Sequence, residues 1–149
     1  MKMKRLLLLF ALLLPLAAQA QHVFEFVCET AAQEFYIDTY IGKGNQGVYT
    51  VWEKRVFSKT PEGQAEIART QRIFPDLKLE GITHYYVKQK FDIENLRTQT
   101  LAIYFFNSKN DEVASKRYGT DRPWDDVSPE TVADMEMMVV RQLAEKASE

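Results

Sequence analysis

Apolar and polar residues alternate with a period of two along most of the stretch from Val23 to Tyr118, and a helical period emerges only beyond it. Val23–Cys28 and Glu34–Tyr40 predict a first pair of strands, the second placing Phe35 and Ile37 on one face and Tyr36 and Asp38 on the other. Gly47–Phe57 is the longest candidate. Its Val48, Thr50, Trp52 and Val56 oppose Tyr49, Val51, Glu53 and Arg55, so both faces carry apolar area. Tyr85–Ile93 sets Tyr85, Val87, Phe91 and Ile93 against Tyr86, Lys88, Lys90 and Asp92, a strand with one wet face. Thr98–Asn107 sets Leu101, Ile103 and Phe105 against Ala102, Tyr104 and Phe106. The turn Asn107-Ser108-Lys109-Asn110-Asp111 then predicts a hairpin with a short strand near Glu112–Tyr118.

Alternation lapses between Ser58 and Thr83. Pro61-Glu62-Gly63 opens a stretch, Gln64–Phe74, whose Ala65, Ile67, Ala68 and Ile73 predict a short helix crossing between strands. Pro75, Asp76 and Gly81 close it as loop. A C-terminal helix is predicted with Ser128 as N-cap, Pro129 in the first helical position and Glu130 in the first turn. Its stripe of Val132, Met135, Val139 and Leu143 should pack on the sheet, with Glu136 and Arg141 pointing away. Met137, Met138 and Val140 widen the stripe into a broad core face, preferred to a Met-rich interaction surface. These elements predict an α+β fold: an antiparallel sheet of about six strands, a helix packed on it and a helical excursion mid-chain. No internal repeat, low-complexity tract or linker divides residues 21–149, which read as one domain.

The segment before this domain changes the expected compartment. Met1–Ala20 has a basic start (Lys2, Lys4, Arg5), an apolar run Leu6–Leu14, then Pro15 and Ala18-Gln19-Ala20. This is the pattern of a secretory signal peptide with a small-x-small cleavage site, so residues 1–20 are expected to be removed and the mature chain to begin at Gln21. The expected location is extracytoplasmic: periplasm, cell surface or medium. The apolar run is too short to span a bilayer, and no integral membrane segment is expected after signal removal. That segment holds three of the 19 Lys and Arg and none of the 21 Asp and Glu. The remainder is 16 against 21, a net charge of −5 that argues against a nucleic-acid partner. Cys28 is the one cysteine, which excludes an intramolecular disulfide. It is placed on the Phe24/Phe26 side of its strand as a small buried hydrophobe, the alternative being an intermolecular disulfide or reactive thiol.

Catalytic chemistry finds little to stand on. Gly42-Lys43-Gly44-Asn45-Gln46-Gly47 matches the G-x-G-x-x-G dinucleotide pattern and follows a strand. Val48-Tyr49-Thr50-Val51-Trp52 after it is β-branched and aromatic, hence strand, where the dinucleotide site needs a helix N-terminus. The kinase segments that would accompany a glycine loop on a hairpin are absent, so the run reads as a glycine-rich hairpin turn. His22 and His84 lack metal-pair spacing and are read as solvated; no G-x-S-x-G elbow occurs. Asp121, Asp125 and Asp126 around Trp124 lack a calcium-loop pattern and read as negative charge before a helix N-terminus. No catalytic, cofactor-binding or metal-ligating residue is assigned, no cofactor is expected, and the binding residues stay unassigned.

Phe35-Tyr36-Ile37-Asp38, a short glycine turn, Val48-Tyr49-Thr50-Val51-Trp52 and, much later, Trp124-Asp125-Asp126-Val127-Ser128-Pro129-Glu130-Thr131 together resemble the surface-adhesin protein E family. The resemblance covers nearly the whole of residues 21–149. It departs from the family in lacking a cysteine pair between a middle strand, here Asp92-Ile93-Glu94-Asn95, and the last helix. It implies an exported antiparallel sheet covered by a helix, which in the family's named member binds host matrix proteins. The matching Tyr36, Asp38, Trp52, Trp124 and Pro129 are assigned to architecture, Asp38 as a strand-end turn former. The expected function is therefore a non-enzymatic, adhesin-like binding module with a protein partner, a host matrix or envelope component. The alternative is a periplasmic structural or assembly protein acting through a sheet edge or a homodimer. A small periplasmic hydrolase is the third class, and would need a solvent-open pocket with a perturbed acid or histidine.

Overall fold

A computed structural model describes residues 22–42 and 44–149; the signal-like segment 1–20 lies outside the described residues, as do Gln21 and Lys43. Seven strands form one antiparallel sheet: β1 (Phe24–Glu29), β2 (Gln33–Asp38), β3 (Val48–Phe57), β4 (Ile82–Asp92), β5 (Arg97–Asn107), β6 (Glu112–Arg117) and the short β7 (Asp125–Asp126). β1 to β6 lie side by side in chain order, and β7 adds to β5 at Arg97 and Thr98. Two helices, α1 (Pro61–Ile73) and α2 (Val132–Ala147), complete the α+β fold. Among the described residues no helix is long and apolar enough to cross a membrane.

The turns follow their sequence signals. The glycine run between β2 and β3 is a hairpin connection in which Gly42 and Gly47 take positive φ, 62° and 77°, values that L side chains rarely adopt. Between β5 and β6, Asn107 Oδ1 accepts from the Lys109 and Asp111 amides, fixing the predicted hairpin. Asp38 Oδ1 likewise accepts from the Tyr40 amide, 3.0 Å away, closing the chain at the end of β2 as a turn former does.

The helices depart from the pattern in instructive ways. α1 starts earlier than predicted, because Thr60 caps it by accepting from the Gly63 amide and Pro61 supplies the first turn. Its inward face is Gly63, Ile67, Thr70 and Phe74, while Ala65, Ala68 and Ile73 are exposed. Gly63 is required there: a Cβ would lie 1.8 Å from the Ser58 carbonyl oxygen. α2 begins later than predicted. Thr131, not Ser128, is the N-cap and accepts from the Asp134 amide; Asp134 in turn accepts from the amide of Glu130, which sits at φ 63° outside the helix. Asp125 and Asp126, read as charge at that helix start, instead form β7.

The predicted face of α2 is also rotated. Met137, Val140 and Ala144 are buried, Val139 and Leu143 pack beside them, and Met135 is exposed with Met138. Glu136, expected to point away, is 1% exposed. The four consecutive apolar residues Met137–Val140 admit more than one helical stripe, and the sheet's shape selected this one.

The core lies on one side of the sheet in two clusters. Ile37, Ile41, Val51 and Phe91 pack under α2. Phe57, Leu79, Ile82, Tyr85, Val87, Ile103 and Phe105 pack with Ile67 and Phe74 of the α1 region. A bulge in β1 between Phe26 and Cys28 shifts the register by one, so Cys28 pairs opposite core-facing Phe35 and leaves the Phe24/Phe26 side. It is half-buried and free, and burial first, then Glu136, raise its thiol pKa against the opposing pull of Arg55.

Candidate functional site

The sheet face away from the helices carries an unusual density of aromatic rings. Strand alternation places Trp52 of β3, Tyr86 of β4, and Tyr104 and Phe106 of β5 on it, and pairing register makes Tyr86 and Tyr104 direct neighbours. Curling of the sheet does the rest. The Phe24 ring on β1 comes within 5.6 Å of the Tyr86 ring, although β2 and β3 intervene in the sheet, so this face is concave. The result is a groove of about 330 Å³ lined by His22, Phe24, Trp52, Tyr86, Tyr104 and Phe106.

Each wall of the groove is braced. Trp52 and Tyr104 lie 5.8 Å apart, and Tyr86 meets Phe106 edge-on at 5.4 Å. His84 stacks on Phe106 at 5.6 Å and is 8% exposed, so the reading of a solvated histidine is corrected: its neighbours on β4 and β5 cover it. Its pKa is lowered by burial and by Lys54 across the strand pair, with Asn110 pulling the other way, which favours the neutral ring. At the rim His22, whose side chain is largely exposed, pairs with the fully buried carboxylate of Asp38. Burial also raises the Tyr86 phenol.

Cations rim the rings. Lys88 Nζ lies 5.8 Å above the Trp52 ring centre and the Arg117 guanidinium 6.0 Å from that of Tyr104. Lys54 sits across from Tyr86 and Lys88 across from Trp52 on the same face. An apolar floor with positive sides suits a ligand pairing a hydrophobic group with an anionic one. None of the groove residues was assigned to binding from the sequence, and Trp52 was assigned to architecture. The available signal was the aromatic content of both faces of β3 and β5; the curl that gathers Phe24 with them has no local signature.

The opposite face holds a charge cluster beneath α2. Glu53, fully buried, accepts from Arg55 Nε at 2.9 Å and Nη2 at 2.7 Å through one oxygen and from the Gln89 amide through the other. Glu136 Oε1 stands 3.9 Å from Arg55 Nη2. Burial pushes the Glu136 carboxyl well above the ordinary carboxylate range, Glu53 pushes the same way, and Arg55 only partly opposes them. Arg55 lies over the rings of Phe35 and Tyr85 at 5.4 and 5.8 Å.

A third polar locus ties the last loop to the sheet. Asp92 accepts from the Asn95 amide and side chain and from Arg97 Nε at 2.9 Å. These bonds outweigh its burial and hold its pKa below the usual value. Arg97 continues over the Trp124 ring at 4.6 Å, linking the loop before α2 to the start of β5. Among the described residues no group of three or more His, Cys, Asp or Glu is placed to hold a metal ion. No protein-family model, no curated protein and no solved structure matches this chain.

Proposed function

We propose that this protein is a non-enzymatic extracytoplasmic binding module, adhesin-like in the sense of the protein E resemblance, whose groove receives a segment of a partner protein. The observation that carries the reading is the apolar groove of about 330 Å³ on the face the helices leave uncovered. Large aromatic surface outside the core marks interaction sites more often than packing. The rim of Lys54, Lys88 and Arg117 selects the partner's chemistry: an aromatic or branched apolar side chain next to acidic residues. Export follows from the signal-like pattern of residues 1–20.

Trp52 supplies the assay, since Trp124 is the only other tryptophan. In a Trp124→Phe background, peptides carrying a phenylalanine between acidic residues, and soluble matrix proteins, are titrated while Trp52 fluorescence is followed. Saturable change that Tyr104→Ala abolishes supports the reading; a flat response to every probe rejects it. Protease shaving of intact cells, with a periplasmic control, tests the surface location separately. The structural or assembly alternative ranks second because both outer strands are guarded: β1 by Glu25, Glu29 and its bulge, β6 by Glu112, Lys116 and Arg117.

A further inference from the structure

Between α1 and α2, above the core face of the sheet, lies a cleft of about 500 Å³. Its floor includes Phe35, Arg55, Tyr85, Gln89, Thr98 and Thr100, and Glu66 and Arg69 of α1 face Glu136 of α2 across it. The polar groups around it are almost all committed. Arg69 bonds Glu66 at 2.8 Å, Arg55 is taken up by Glu53, the Gln89 amide donates to Glu53, and the Thr100 hydroxyl donates to Gln89. Glu136 is the exception: its residue is 1% exposed, its Oε2 has no partner at hydrogen-bonding distance, and the neighbouring Glu53 carboxylate favours its protonated form.

A buried carboxyl oxygen without a partner is an expensive arrangement for a protein to keep, and it lies on the wall of a cleft large enough for a small molecule. The charge count says what would complete it. Glu53 and Glu136 share one arginine, whose guanidinium bonds Glu53 closely and reaches Glu136 only at 3.9 Å. Once Glu136 ionises, two carboxylates share that one arginine, and what would balance them is a donor carrying positive charge. A metal ion would need several oxygen ligands, and among the described residues no group of three or more acidic, histidine or cysteine side chains is placed to hold one. An organic cation needs one carboxylate and aromatic surroundings, and Phe35, Tyr85 and Phe105 line the same cleft.

We propose that this cleft binds an amine or guanidinium group, held by the Glu136 carboxylate against the aromatic floor. The group could be supplied by a free alkylamine or by a lysine or arginine side chain of a peptide; the chemistry is common to both. The proposal stands apart from the groove reading, since the cleft lies on the other face of the sheet.

The charged and titratable groups around Glu136 are Glu53 and Arg55 on β3, Cys28 on β1, Tyr85 on β4, and Glu66 and Arg69 on α1. Because burial, and then Glu53, raise the Glu136 carboxyl, a cation that binds its ionised form should bind more tightly as pH rises. The test is calorimetric titration of the purified protein with butylamine, butylguanidine and neutral butanol, then with a lysine-containing peptide and its side-chain-acetylated form. The expected result is binding of the cations at least about tenfold tighter than butanol. Affinity for the cations, and not for butanol, should rise with pH, in the direction set by the raised Glu136 carboxyl. Glu136→Gln should abolish the cation preference while its circular dichroism stays unchanged. Should that variant not fold, the ratio of butylamine to butanol affinity in the unaltered protein decides alone. Equal affinity for butylamine and butanol, or a cation preference that survives in Glu136→Gln, overturns the proposal. Preference for the peptide over butylamine identifies a protein side chain as the source; the reverse identifies a free amine.

Discussion

The two faces of this sheet use similar side chains to opposite ends. Under the helices, Phe57, Tyr85, Phe91 and Phe105 are almost wholly buried and form the core. On the open face, Trp52, Tyr86, Tyr104 and Phe106 touch one another as closely, yet no helix covers them, and they stay half-buried around a groove. Charge is distributed in the reverse sense. The covered face encloses Glu53 and Glu136 around a half-buried Arg55, whereas the open face keeps its lysines and Arg117 beside water. The lesson is that residue type does not assign a face to core or to binding; the layer above it does.

The comparison is tested most severely at the buried charges. Arg55→Met should destabilise the protein by about 3–5 kcal/mol in urea unfolding, because it strands Glu53 uncompensated in the interior. A loss below about 1 kcal/mol would mean that the cluster is solvated like a surface ion pair. Next comes the contrast between adjacent positions of β5. Phe105→Ala should cost about 3–5 kcal/mol, as a fully buried phenylalanine does. Tyr104→Ala should cost about 1 kcal/mol, since its half-buried ring leaves little unfilled volume, and should act chiefly on binding. Equal losses at the two positions would erase the distinction between core face and binding face.

Acid and base separate the loci further. Glu136 has a raised pKa in the folded protein, so the folded state holds the extra proton and stability declines as pH rises from the ordinary glutamate range to the raised value. Glu136→Gln should flatten that decline, giving the variant its largest relative advantage at the highest pH. Asp92 carries the opposite sign: its lowered pKa supplies stability above the ordinary aspartate value, lost as pH falls through the lowered one. Asp92→Asn should flatten only this acid limb. Thermal unfolding from pH 3 to pH 9 reads both, and a decline unchanged in Glu136→Gln would place the titration elsewhere. The smallest effect concerns where α2 begins. Thr131→Ala should lose about 1 kcal/mol and Ser128→Ala nothing measurable, since only Thr131 accepts from a helix amide.

Much of the fold was legible because sheets write their pattern locally. Alternation placed every long strand, the glycine run marked a hairpin, and Asp38 closed its strand as a short polar side chain does. Errors arose wherever one residue of register or rotation decided the outcome. A bulge turned Cys28 to the other face, neighbouring rings covered His84, and the run Met137–Val140 let α2 rotate Glu136 inward. The groove followed the same rule: Trp52, Tyr86, Tyr104 and Phe106 were each assignable to one face, but their use was not.

The sequence alone therefore determined the order of strands and helices, their antiparallel pairing and the alternating sides of the strands away from their bulges, because these rest on short-range periodicity and turn chemistry. Tertiary structure alone decided which face received the helices, how far the sheet curled to bring Phe24 to Tyr86, and which acidic side chain was enclosed with one oxygen unbonded. Those outcomes depend on packing between residues far apart in the chain, where one bulge or a small rotation of a helix exchanges inside for outside.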